Sequence, residues 1–314
     1  MEEQTNSTNT QVDLNGNPVT GVAQTIDKKP ESIKSDKFPR VQSPSSINTF
    51  RQCPRKYYYN YIEKLAILPS IHLTRGKLTH SVLEDFFDIN VEHLSAENFM
   101  FDLQVIIMEI FKKHWAANLD ELNSLGLSIA ELRFYNEETQ YMVKTWVKRF
   151  IHTVAEDMKN MSFKESFIKH TPIREEEYRS EERGVRGFID VIQEFEKEID
   201  GKKEKEVHVI DYKTSKRAKM SPEYKLQLAI YAMLYEEKHG FLPNKVGIDF
   251  LKFDEPPMYL DVDEDLVEFA KREVAFIHEN TVSKDLADYS KKISALCKWH
   301  SGQCSFYDLC KGQD

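Results

Sequence analysis

The chain has 314 residues, 40% of them hydrophobic, and a formal net charge of −9. Apolar material on that scale excludes a disordered chain and allows one large domain or two smaller ones. The charge excludes a protein that coats nucleic acid without specificity; no run approaches the roughly 18 apolar residues of a membrane span; and the start, MEEQTNSTNT, lacks a secretory signal, so the expected address is the cytoplasm.

Taken in chain order, residues 1–41 are polar and are expected to form a disordered tail. Order is predicted to begin at Ser43-Pro44-Ser45-Ser46, where a serine caps a helix carrying Ile47, Phe50 and Cys53, with a kink at Pro54. Between Arg51 and His80 stand six basic residues and one acid, Glu63. Among them are Arg55 and Lys56, beside the aromatic run Tyr57, Tyr58 and Tyr59. This segment reads either as a DNA track with stacking rings or as a solvated helix face over a core. An amphipathic helix is expected to start at His80, and helical periodicity holds to about residue 160 in a subdomain placed at 81–170. After Pro172 the period changes to strands at 173–178, 185–195 and 207–210. The polar stretch EKEIDGKKEKE is read as a turn, with Asp200-Gly201 as a hairpin signal. A helix at 222–238 ending near Gly240, strands at 245–253 and 258–262, and a helix at 265–279 complete an α/β core with helices on a mixed sheet.

Several residues invite a chemical reading. Asp211 and Lys213 are two apart on a strand and so share a face, where a carboxylate and a cation can meet one phosphate. The chain has four Asp-x-Lys matches, at Asp27, Asp157, Asp200 and Asp211, and Asp211 alone follows a strand-like run. Elsewhere the pattern reads as a surface ion pair. Asp190 sits among Phe188, Ile189, Val191 and Ile192, on the strand the hairpin pairs with that of Asp211. Either it faces solvent, or it lies beside Asp211 and the two repelling carboxylates need a divalent cation between them. Oxygen ligands suit Mg²⁺ or Mn²⁺. Gln227 and Tyr231 are four apart on the following helix and project from one side of it. The four cysteines, Cys53, Cys297, Cys304 and Cys310, read as metal ligands or as unrelated thiols.

Together, Gly76-x-x-x-His80, Gly187-x-Ile189-Asp190, Asp211-x-Lys213 and Gln227-x-x-x-Tyr231 occur in the order found in RecB-like nucleases of the PD-(D/E)XK superfamily, which the chain resembles over about residues 43–312. The resemblance implies a restriction-endonuclease-like core of mixed sheet and flanking helices with a large helical insertion, in a nuclease domain spanning 42–314. It implies metal ligation by His80, Asp190, Asp211 and the Tyr212 carbonyl, with Lys213 activating water. Gln227 and Tyr231 would support the site and contact DNA. A further glutamate is expected among Glu175, Glu176 and Glu177. One cysteine before the core and three after it resemble the iron–sulfur subset, including AddB-like and CRISPR-associated members. That likeness implies a [4Fe–4S] cluster in a staple at 290–312, with Zn²⁺ as the alternative. The longer gap between Cys297 and Cys304 is expected to turn at His300-Ser301-Gly302. The implied activity is a metal-dependent DNA nuclease, expected to be an exonuclease, serving repair, recombination or CRISPR-type processing, with DNA and a helicase or CRISPR protein as partners. The competing readings are a non-cleaving DNA- or partner-binding module on the same fold and a four-cysteine zinc DNA-binding protein.

Overall fold

The computed structural model describes residues 37–199, 202–299 and 302–312; the Asp200-Gly201 turn and residues 1–36 lie outside them. The described residues begin ahead of residue 42. The Phe38 ring lies 4.1 Å from that of His278, and Gln42 bridges Val185. Helix α1, Pro44–Gln52, starts where Ser43 accepts the Ser46 N–H, and α2, Pro54–Tyr57, restarts at the proline. A π-helical turn, Tyr58–Ile62, follows. All three tyrosines of the aromatic run are buried, Tyr57 at 0%, Tyr58 at 6% and Tyr59 at 2% exposure. They are core residues, and the stacking platform is withdrawn. The rings of Tyr57, Tyr58 and Tyr289 pack together, and Tyr59 meets Phe306.

Helix α3 runs from Ile71 to Phe86, capped by Ser70. His80 therefore lies inside this helix rather than at its start, because Gly76 is carried within the helix instead of breaking it. Helices α4, Phe99–Ala117, α5, Leu119–Ser124, α6, Ile129–Asp157, and α7, Phe163–Lys169, complete the helical part. Ser128 and Ser162 cap α6 and α7 reciprocally with Glu131 and Glu165. No helix among the described residues is long and apolar enough to cross a membrane.

The sheet has the order β1 (Ile173–Ser180), β2 (Val185–Ile199), β3 (Lys202–Lys213), β4 (Lys245–Phe250) and β5 (Met258–Asp261). All neighbours are antiparallel except β3 and β4, which are parallel and joined by α8, Pro222–His239. Helix α9, Glu264–Asn280, follows. The stretch read as a polar turn is instead the outer part of a long β2–β3 ribbon, paired out to Ile199 and Lys202. Its acidic and basic residues oppose one another, as Glu196 does Lys205, and also pair diagonally, as in Lys205–Glu194 at 2.7 Å. Such pairs support a strand that apolar alternation does not announce. One core packs α1, α8 and α9 on Val207, Val209, Val246 and Ile248 of the sheet. A second packs α3, α4, α6 and α7 on Val191, Ile210 and Tyr212. This is an α/β architecture with a mixed five-stranded sheet flanked by helices, consistent with a restriction-endonuclease-like fold.

Candidate active site and cysteine cavity

The antiparallel β2–β3 register pairs Val191 with Ile210. One step further, Asp190 and Asp211 stand opposite each other, 8% and 2% exposed. The ladder is modified here, because the Asp190 carboxylate accepts the Tyr212 N–H at 2.7 Å. His80 reaches in from α3. Its Nε2–H donates to the Tyr212 carbonyl at 3.1 Å, and its Nδ1 lies 3.4 Å from Asp190 and 4.0 Å from Glu175. The choice left open among the glutamates is resolved by contact. Glu176 pairs with Lys238 and Glu177 with Arg186, whereas Glu175 turns to the site.

Glu175 does so by leaving the strand conformation. The β1–β2 ladder pairs Arg174 with Val191 and Glu176 with Ile189, skipping Glu175, whose φ is +47°. A non-glycine residue there costs on the order of 1–3 kcal/mol, and such strain gathers at functional sites. Among the described residues, His80, Glu175 and Asp190 form the group of three ligand atoms within 4.8 Å of one another. Trans ligands of an octahedral Mg²⁺ are about 4.2 Å apart, so the group is compact enough for one ion.

Electrostatics point the same way. Burial, then the Asp190 charge, pushes the Glu175 carboxyl up to about 7. Burial also raises Asp211, with Lys213 opposing and Asp190 adding to the rise. For His80, burial disfavours the cation, but the Asp190 carboxylate outweighs it and the imidazole pKa is raised. Negative charge is thus crowded beyond what nearby cations balance. Asp211 is held apart from the trio. Its Oδ1 accepts from the Gln227 amide at 2.7 Å, and its Oδ2 pairs with the Lys213 ammonium. Gln227 also donates to the Tyr231 hydroxyl at 2.8 Å. Tyr231 itself is buried and braces Gln227 from behind.

A family model described as the PD-(D/E)XK nuclease superfamily matches residues 42–311. The chain belongs to that superfamily. A solved structure from Eubacterium rectale, described as "Putative exonuclease", is similar over 91% of this chain and 98% of its own, at 11% identity and a TM-score of 0.43. A search of the curated proteins gave no match.

In this nuclease the glycine before Asp190 has a steric reason. A Cβ on Gly187 would stand 2.8 Å from the Tyr231 ring. Gly187→Ala is expected to displace Tyr231, loosen Gln227 from Asp211 and cost about 1–3 kcal/mol in stability, as overpacking does. Thermal unfolding and cleavage assays on that variant check both effects together.

Arg55 and Lys56 lie elsewhere. Arg55 donates to the Tyr289 carbonyl at 2.7 Å and Lys56 to Gln52 at 2.7 Å. Both line the cysteine cavity rather than the acid cluster. This cavity, of about 210 Å³, is bordered by Cys53, Cys297, Cys304 and Cys310, all four as free thiols. Cys53 sits at the α1–α2 junction, and the Arg55 N–H bonds to Ser290 O. The Cys304 N–H bonds to the Cys297 carbonyl at 2.9 Å, where strands β6, Lys298–Trp299, and β7, Gly302–Gln303, span the long gap. His300 and Ser301 of the predicted turn lie outside the described residues. Helix α10, Tyr307–Lys311, brings in Cys310. Burial, and the nearby Cys53 and Cys297 sulfurs, raise the Cys310 thiol pKa. Sequence reasoning missed the inward turn of Glu175 and the start of α3 ahead of His80. A skipped ladder position leaves no mark in residue type.

Proposed function

We propose that this nuclease is a Mg²⁺- or Mn²⁺-dependent deoxyribonuclease that hydrolyses phosphodiester bonds, and that its four cysteines hold a [4Fe–4S] cluster. The carrying observation is the His80–Glu175–Asp190 trio beside the Asp211–Lys213 pair. His80, Glu175, Asp190, Asp211 and the Tyr212 carbonyl would hold the cation, a donor set of mostly hard oxygen with one imidazole. When bound, that ion would make water acidic and neutralise charge on the phosphoryl oxygens. Lys213 places its ammonium beside Asp211, where it orients the attacking water and meets charge developing on the phosphate. Gln227, braced by Tyr231, fixes Asp211 Oδ1 and so the direction in which the carboxylate points. The Asp190 carboxylate, held by the Tyr212 N–H, cannot rotate away from the cleft.

The cysteine cavity supports the cluster reading. Its four thiols border one cavity of about 210 Å³, roomier than a single ion requires. The exonucleolytic mode, the repair, recombination or CRISPR setting and a helicase or CRISPR partner extend this reading on the motif resemblance.

An anaerobic preparation with Mn²⁺ is expected to cut end-labelled single- or double-stranded DNA, to stop in chelator, and to be brown. A preparation that binds DNA but leaves every substrate intact, with and without Mn²⁺, would return the chain to a binding module. A colourless active protein containing zinc would replace the cluster. Mn²⁺ is also expected to raise the melting temperature of the wild type, by binding the folded state alone. Asp190→Asn should lose most of that rise in a thermal-shift titration.

A further inference from the structure

A groove of about 400 Å³ runs along α3 from the acid cluster, with Glu84, Glu175 and His80 at one end and His72, Gly76 and Lys77 towards the other. His72 and His80 are eight residues apart, or about 12 Å along the helix. The two ends carry opposite charge. At the His72 end, Arg75 is 2% exposed and ion-pairs with Glu138, which also pairs with Lys252. Arg75 further donates to the Thr214 carbonyl at 3.4 Å, and its Nε–H has no acceptor among the described residues. The Leu251 N–H bonds to the Lys213 carbonyl at 3.0 Å, so Lys252, just past β4, stands beside the end of β3, the neighbouring strand that carries the candidate catalytic pair. Two residues past Thr214 comes exposed Lys216, then exposed Arg217 and Lys219.

The anion supply at this end is thin. Glu138 serves two cations, and Glu121 is engaged by the Thr74 hydroxyl at 2.6 Å. Burial, then the charges of Arg75 and Lys216, lowers Lys252 to about 8, and burial first, then Arg75, Lys216 and Lys252, depresses His72. Positive charge held together in this way favours an anion. Gly76 adds an independent sign. A Cβ there would stand 4.0 Å from the Thr214 hydroxyl, an ordinary contact. The fold therefore does not require glycine, although one in a helix interior costs about 0.5–1 kcal/mol against alanine. An absent side chain on a groove wall leaves the backbone open to a ligand.

We propose that the His72 end of this groove is a phosphate-binding subsite, in which Lys216 and Lys252, buttressed by Arg75 and Glu138, hold the nucleic-acid backbone a few nucleotides from the bond being cut. It rests on the nuclease reading, and it sets the strand's direction: along α3, with the phosphate diester past Gly76 and the scissile bond at Glu175. The ligand is the sugar–phosphate backbone, read as charge and not as sequence.

The test is salt-dependent binding of a fluorescein-labelled oligothymidylate, followed by anisotropy in the non-cutting Asp211→Asn background. Each lost lysine contact should reduce the slope of log affinity against log salt by about 0.7 for a single strand. Lys216→Gln, at an exposed position that cannot unfold the core, is expected to show that drop and about fivefold weaker binding near 0.1 M salt. Adding Lys252→Gln should roughly double the drop. Lys216→Arg should restore the slope, and Lys159→Gln, in the turn just past the far end of α6, should leave it alone. Gly76→Ala is expected to melt higher yet bind more weakly. An unchanged slope in both Lys216→Gln and the double variant overturns the subsite, while cleavage by the wild type keeps the nuclease reading intact. The reverse pattern, slopes that fall in the lysine variants while the wild type cuts nothing, keeps the subsite and removes the nuclease.

Discussion

Asp211→Ala is expected to lower DNA cleavage by three orders of magnitude or more, with Asp190→Ala equally severe and the double variant scarcely worse, because groups acting as one unit are not additive. The stability change should run the other way. In the metal-free protein Asp211 is desolvated and faces Asp190, with Gln227 and Lys213 as its partners. Removing half of a buried charged pair is normally costly, since the partner is stranded. Here Lys213 is 22% exposed and can turn to water, so Asp211→Asn, which keeps the Gln227 contact within reach, is expected to hold or raise the melting temperature without metal. Adding Mn²⁺ should then stabilise the wild type and not the variant. Near-normal cleavage by Asp211→Ala would remove Asp211 from the catalytic set.

Changing any one of Cys53, Cys297, Cys304 or Cys310 to serine is expected to bleach the brown protein and lower its melting temperature. Bridging Cys53 and Cys297 closes a loop of more than two hundred residues. Loop-closure entropy then sets an upper bound of about 5 kcal/mol on the stabilisation. The measured loss should be smaller, because Phe306 and Tyr289 already hold the C-terminal segment to the first helices through buried ring contacts. Cleavage should decline in proportion to unfolding rather than vanish, since no cysteine borders the acid cluster. A serine variant that keeps its colour and its melting temperature would remove that cysteine from the cluster.

The sheet strands, α8 with its Pro222 start and Gly240 stop, and the pairing of Asp190 with Asp211 were legible because periodicity, turn chemistry and strand spacing all act locally. The ordered motifs then supplied the family. What escaped was decided at a distance. Tyr57, Tyr58 and Tyr59 look the same on a DNA-facing surface as under Tyr289 and Phe306. The charged β2–β3 ribbon carries a turn's composition, and its strand conformation comes from the partner opposite. Arg55 and Lys56 read as phosphate contacts on residue type, but Arg55 bonds to the Tyr289 carbonyl and Lys56 to Gln52. Glu175 could be narrowed to three neighbours, but the positive φ that selects it belongs to the sheet, not to the residue.

The wall of rings joining Tyr57, Tyr58 and Tyr59 to Tyr289 and Phe306 also sets an order in time. During synthesis the first three leave the ribosome roughly 250 residues before the last, a wait of about ten seconds to most of a minute at 5–20 residues per second. For that interval three large aromatic side chains and Cys53 lack the cover that Tyr289, Phe306 and the C-terminal cysteines supply. The nascent chain must shield them through a chaperone or by provisional collapse, and it can complete the cysteine cavity only after its last helix has emerged. Closure of the cysteine cavity is therefore a late event in synthesis, and chains stopped short of Tyr289 leave the same aromatic face open.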